Sequence, residues 1–118
     1  MRVIRILLDE CVNAGVRAAF GEHFVRTVSQ MGWEGLKDGP LLRRAQESFD
    51  VMLTIDGNLK NQQKLAKFGI GVVVARVPDN KIGSFQPAFE AMRQAVEVVK
   101  AGEVIEVDAF PAHGARTR

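Results

Sequence analysis

The sequence predicts a three-layer α/β fold, with a mostly parallel five-stranded sheet between helices. Two observations carry this. Short runs of Val, Ile and Leu alternate about five times with segments whose apolar residues recur at helical spacing. The connections between them are short, as strand–helix–strand units in a parallel sheet require. The 118 residues suit one domain and hold no internal repeat.

Residues 2–8 (RVIRILL) read as a first strand, buried on both sides toward its end. Residues 12–21 suit a helix with Val12, Val16, Ala19 and Phe20 on one face, and 23–28 (HFVRTV) a second strand. The three glycines between 32 and 39 mark a loop. Asp38 is placed to cap a helix, with Pro40 in its first turn and Leu41, Leu42, Ala45 and Phe49 on its apolar face. VMLTI (51–55) reads as a buried third strand, and Asn58 caps a helix over 59–68 that Gly69 ends. Residues 71–75 form a fourth strand. Ser84 is placed to cap the longest helix, with Phe85, Phe89, Met92, Val96 and Val99 on one face and Gly102 at its end. EVIEV (103–107) is the last strand. A single domain over 1–108 and a flexible tail over 109–118 are therefore expected.

Composition excludes several classes. Hydrophobic residues are 47% and charged residues 25%, so a disordered chain is not indicated. No apolar run approaches the roughly 18 residues a membrane span needs, and VIRILL, broken by Arg5, is too short for a signal segment. A lone cysteine, Cys11, excludes a disulfide scaffold and fits a reducing, cytoplasmic location. The net charge is +2, and without Arg116 and Arg118 in the tail it is zero. A strongly basic, sequence-blind nucleic-acid binder is therefore excluded, and an anionic partner would need a local patch or metal ions.

The positions of the acids are more telling. Ligands of open parallel sheets bind beyond the carboxyl ends of the strands, where strand order reverses. Asp9 and Glu10 follow the first strand and Asp56 follows the third. If the order is 2-1-3-4-5, these carboxylates converge, and Asp38 reaches the same edge from the second connection. Clustered carboxylates repel unless they are protonated or share a cation, and oxygen-rich clusters suit Mg²⁺ or Mn²⁺. An Asp after a buried strand also serves as a turn or cap residue, so both uses stay open.

At this point a resemblance emerges. ILLDEC at 6–11, Asp38-x-x-Leu41-Leu42-x-x-Ala45, and VMLTIDGNLKNQQKL at 51–65 resemble the short bacterial PIN-like domain proteins. These are relatives of the PIN-domain ribonucleases found as toxins in type II toxin–antitoxin modules. The most specific part is T-x-D-x-N-L-x-x-Q-Q, met by Thr54, Asp56, Asn58, Leu59, Gln62 and Gln63. The resemblance runs from about residue 3 to residue 107 and departs from many relatives at Cys11, where they carry Asn. It implies a PIN-like fold and a Mg²⁺- or Mn²⁺-dependent endoribonuclease. Asp9 and Asp56 would be its metal carboxylates, Asp38 a looser third acid and Glu10 a further metal ligand. RNA would be the substrate, and a small antitoxin protein a partner. The alternative it leaves is a catalytically degenerate scaffold that binds RNA or protein.

Other residues complete the reading. Asn58 is a polar neighbour of the metal or a helix cap. Lys60, Lys64 and Lys67 lie at spacings of four and three, so a helix places them on one face, where Lys60 and Lys64 are candidate RNA contacts. Trp33 is read as a loop anchor, Cys11 as packing, and neither His23 nor His113 is assigned chemistry. The exposed flank of the longest helix leaves room for a homodimer. A phospho-receiver shares the strand-end acids. It also needs Thr or Ser after strand four and Lys after strand five, where this chain has Arg76 and Asp108, and it is disfavoured.

Overall fold

The computed structural model describes residues 2–59 and 64–109. Five strands, β1 (Arg5–Leu8), β2 (Phe24–Thr27), β3 (Val51–Thr54), β4 (Gly71–Arg76) and β5 (Val104–Asp108), form one sheet. Their order is β2-β1-β3-β4-β5 and every pairing is parallel. The three-layer α/β class expected from the sequence is thus present.

The period-two alternation of the central strands divides the apolar residues between two cores. Ile6 and Leu8 of β1, Val51 and Leu53 of β3, and Val73 and Ala75 of β4 face one layer. Leu7, Met52, Val72 and Val74 face the other. Because both faces are covered, these strands read as unbroken apolar runs.

Helix α1 (Val28–Met31) follows β2 directly and was not expected. Thr27 and Gln30 form a reciprocal capping box, and Gly32 at φ 75° closes the turn. Helix α2 (Asp38–Ala45) lies on the same face, burying Leu41, Leu42 and Ala45. Lys37, not Asp38, is its N-cap, and Asp38 is the first helical residue. There its charge still favours the helix N-terminus.

The expected helix over 12–21 takes another form, and the one expected over 59–68 lies only partly within the described residues. The first is a 3₁₀ helix, Ala14–Ala19, capped by the Asn13 side chain, which accepts from the Gly15 N–H at 2.8 Å. In the second, Leu59 is helical, residues 60–63 lie outside the described part, and Leu65–Lys67 form a 3₁₀ turn preceded by Lys64 at φ −85° and ψ 85°. The first buries residues three apart, Val16 and Ala19. Spacing of three is eclipsed in a 3₁₀ turn, so that geometry puts both side chains on the sheet.

The expected single helix from Ser84 is also divided. Helix α3 (Ile82–Phe85) is followed by a 3₁₀ turn, Gln86–Ala88, and then by helix α4 (Phe89–Val98). Pro87 explains the break, since it has no N–H to donate and its ring crowds the preceding turn. Ser84 is not the cap. Asp79 takes that part, accepting from the Lys81 N–H at 2.9 Å and the Ser84 hydroxyl at 2.6 Å.

The Ala14–Ala19 helix and α4 share one face, and α1 and α2 share the other. The β1–β2 and β4–β5 connections therefore cross the same face in opposite directions across the sheet. The β4–β5 connection is thus opposite in hand to the other three, an exception to the usual right-handed crossover. It sets α3 and α4 against the Ala14–Ala19 helix, where a side chain added at Gly15 would meet Ile82 Cδ1 at 3.0 Å.

At the amino edge of the sheet, Ile4 donates its N–H to Nδ1 of the buried His23 at 3.0 Å, and His23 Nε2 faces Glu97 at 3.0 Å. This side-chain acceptor explains why β1 begins at Arg5 and not at residue 2. At the other terminus, Ala109 is buried and donates to the Arg76 carbonyl at 3.0 Å. The rest of the expected tail, residues 110–118, lies outside the described part. No helix among the described residues is long and apolar enough to cross a membrane.

Candidate functional site

β1 and β3 are neighbours, with Leu8 beside Leu53, so the residues that follow them meet at the carboxyl edge of the sheet. Asp9 is pinned there by its own N–H, which donates to the Leu53 carbonyl at 3.0 Å. Its carboxylate accepts the Glu10 N–H at Oδ1 (2.8 Å) and the Thr54 hydroxyl at Oδ2 (2.8 Å). The same Thr54 oxygen accepts the Asp56 N–H at 3.0 Å. One fully buried hydroxyl therefore ties the first strand-end acid to the second. Asp56 in turn accepts the Asn58 N–H at 2.9 Å, closing an Asx turn.

Asp38 comes to this edge at the start of α2. Burial first, and then the negative charges of Asp9 and Asp56, push its carboxyl above the ordinary Asp value. The charges of Asp9 and Asp56 therefore reach Asp38 at this edge. Their convergence stops short of a closed cage. Among the described residues no group of three or more His, Cys, Asp or Glu stands close enough together to hold an ion. The donor set itself, carboxylate oxygens backed by a hydroxyl, is the hard-oxygen chemistry that suits Mg²⁺ or Mn²⁺.

Glu10, read as a further metal ligand, is exposed, and its Oε1 accepts the Gly35 N–H at 3.2 Å. In this position it fastens the glycine-bordered loop. Trp33 anchors the same loop from below, with its ring edge-on to Phe49 at 6.1 Å.

Asn58 is exposed and lies on the edge of the site, with its backbone N–H in the Asx turn. Lys64 is exposed and precedes the Leu65–Lys67 turn, so Lys64 and Lys67 do not share an α-helical face. Lys60, Gln62 and Gln63 lie outside the described residues. Beside Asp56, a cleft of about 350 Å³ opens over the ends of β3, β4 and β5, between Ile55 and Gly57 on one side and Arg76 on the other. Asp9 and Asp38 do not line it, so the cleft and the carboxylates are adjacent features of one edge.

Two contributors escaped the sequence reading. Thr54 was part of a motif without a role of its own. Its signal is the T-x-D spacing, which sets a hydroxyl under the N–H of the residue two places on. Cys11 is half-buried and packs on the first core as expected, but its Sγ also lies 3.7 Å from both Asp9 Oδ2 and Thr54 Oγ1. Burial, above all, pushes this thiol upward, so it serves as a neutral donor to Asp9 and not as a nucleophile.

No family model, curated protein or solved structure matches the chain.

Proposed function

We propose that the protein is a Mg²⁺- or Mn²⁺-dependent endoribonuclease of PIN-like type, acting on cytoplasmic RNA. The observation that carries this reading is the meeting of Asp9 and Asp56 at the reversal point of the sheet, bridged by the Thr54 hydroxyl. Three carboxylates crowded without an internal cation cost stability, and a shared divalent ion removes that cost. Asp9 and Asp56, tied through Thr54, would hold the ion, with Asp38 at the same edge. Once bound, it would stabilise charge on a phosphoryl oxygen and make an attacking water more acidic.

The chain's own residues do the positioning. Thr54 fixes the separation of Asp9 from Asp56 by bonding to both. Cys11, a neutral donor, lies 3.7 Å from Asp9 Oδ2 beside it. Lys60 and Lys64, in the segment after Asp56, would supply phosphate contacts that a neutral body otherwise lacks, and Asn58 a polar contact at the edge. The resemblance adds a toxin–antitoxin setting, with a small antitoxin as protein partner.

A second reading, a PIN-like scaffold that binds RNA or protein without cutting, is favoured by one observation: the acids do not form a closed ligand group, and Glu10 is engaged at Gly35. Incubation of the purified protein with RNA and Mn²⁺ separates the two. The nuclease reading expects cleavage that Asp9→Ala and Asp56→Asn abolish. RNA that stays intact, or cleavage that both variants preserve, rejects it.

A further inference from the structure

β2 is a free edge of the sheet, since β1 is the one strand it pairs with. The Phe24 N–H donates inward to the Ile4 carbonyl at 3.0 Å, so Val25 and Thr27, at alternate positions, turn their main-chain groups outward. An open edge of this kind is a template for a further strand. Here the outward groups are engaged from within the chain. Just before the strand, the His23 N–H donates to the Phe20 carbonyl at 3.0 Å. At its end, the Thr27 N–H donates to Gln30 Oε1 at 2.9 Å, an oxygen that Arg17 also reaches at 3.2 Å. Between them, Arg26 donates from Nη1 to the Val25 carbonyl at 2.9 Å. The same guanidinium lies 4.1 Å over the Phe24 ring, which fixes it along the edge. Of these outward N–H groups, only that of Val25 has no partner among the described residues.

The surface beside Val25 is otherwise suited to another strand. Val3 and Phe24 are two of the three large apolar side chains that the described residues leave exposed. Both line a groove of about 420 Å³ along β2, together with Val25 and Arg26. A second copy of the chain fits this edge by symmetry. Val25 turns both its N–H and its carbonyl outward, so two β2 strands laid antiparallel about Val25 would exchange two bonds, as an isologous contact requires. In that register each Phe24 stands opposite the other copy's Arg26, and the two arginines are not directly opposed. What stands in the way is the guanidinium, which has already taken the one acceptor the incoming N–H needs. We propose that Arg26 is an autoinhibitory contact on this edge: by holding the Val25 carbonyl, it keeps β2 from pairing with β2 of a second copy. This role is independent of the RNA reading above.

Two variants test it on the full chain. Arg26→Ala removes the donor and the side chain together. Arg26→Met keeps an apolar stem beside Phe24 and removes only the donor. A thermal melt checks that each variant folds, and Arg26→Met alone decides if Arg26→Ala does not. Mass is read by sedimentation velocity over a wide range of protein concentration. Amide hydrogen exchange, followed by NMR over the same range, reads the Val25 N–H, the group that gains a partner only when two β2 edges meet.

The expected result is that the wild-type Val25 amide exchanges at a rate that does not change with concentration. In both variants the mass should rise with concentration toward twice the wild-type value. Exchange at Val25 should then slow by about tenfold or more, because a bonded amide exchanges only when its contact opens. Variants that keep the wild-type mass, with Val25 still exchanging fast, overturn the proposal. Association that leaves the Val25 amide unprotected also overturns it, since the copies would then meet on another surface. So does a wild-type Val25 amide that concentration already protects, because Arg26 would not be closing the edge. Association of Arg26→Ala without that of Arg26→Met overturns it as well, since the stem would then suffice without the bond to the carbonyl.

Discussion

Replacing Thr54 by Val keeps the branched shape that β3 buries and removes one oxygen. That oxygen donates to Asp9 Oδ2 at 2.8 Å and accepts from the Asp56 N–H at 3.0 Å. A hydrogen bond to a charged acceptor contributes about 1.5–3 kcal/mol, and a part-buried N–H left without a partner costs about 1–3 kcal/mol. The added methyl recovers about 0.8 kcal/mol at most. The loss wins, and Thr54→Val should destabilise the protein by about 2–4 kcal/mol. For a chain of this length that is a fall in Tm of roughly 6–20 °C. Thr54→Ser retains the hydroxyl and gives up a methyl, so it should cost only about 1 kcal/mol. Thermal and urea denaturation of the three proteins measure the difference, and RNA cleavage should follow the same order, with Ser active and Val impaired. Thr54→Val within about 0.5 kcal/mol of wild type, or Ser less stable than Val, would refute the bridging role of the hydroxyl.

Four further outcomes are expected. Gly71→Ala should destabilise the fold by about 1–3 kcal/mol in denaturant titrations, because its Cβ would lie 2.9 Å from Val99 Cγ1 and 3.0 Å from the Lys100 carbonyl oxygen. Gly57→Ala, with open space around it, should be close to neutral in the same titrations. Asp50 is held below the ordinary carboxylate range, chiefly by the Arg5 side chain, which donates from Nε and Nη2. A carboxylate lowered on folding stabilises above its unfolded value, near 3.8, and that contribution disappears as pH falls through the lower folded value. The Tm gap between wild type and Asp50→Asn should accordingly be widest above about pH 4 and close on acidification. Asp38→Asn, which relieves repulsion from Asp9 and Asp56, should raise the melting temperature at neutral pH without divalent ions. Mn²⁺ should then stabilise wild type more than the variant, and equal stabilisation would place the ion elsewhere.

The strands were legible because their burial leaves only one pattern, unbroken Val, Ile and Leu, in β1, β3 and β4. The meeting of Asp9 and Asp56 followed from strand order alone, since neighbouring parallel strands bring the residues after them to one edge. Helical segments were less legible where two geometries satisfy the same spacing. Val16 with Ala19 fits an α-helix as readily as the 3₁₀ helix that forms. Pro87 was a visible signal that the Phe85–Val99 stripe outweighed, and α3 and α4 divide at that residue. Roles that depend on contact between distant segments were hidden. Ile4 with His23, Glu10 with Gly35, and Thr54 between two acids from different strands are tertiary bonds that no local pattern announces. The backward crossover from β4 to β5 was hidden for the same reason, because which face α4 covers depends on the whole sheet.

The central claim is that the carboxylates at the junction of β1 and β3 form a divalent-metal nuclease site. A Mn²⁺ titration of RNA cleavage tests it most directly, with wild type and Asp56→Asn run side by side. The account predicts cleavage that rises with Mn²⁺, ceases in chelator, and falls at least a hundredfold in Asp56→Asn, since loss of one charged ligand to a catalytic ion costs about 3 kcal/mol or more. Cleavage that persists in chelator, or that Asp56→Asn carries out at the wild-type rate, would contradict it.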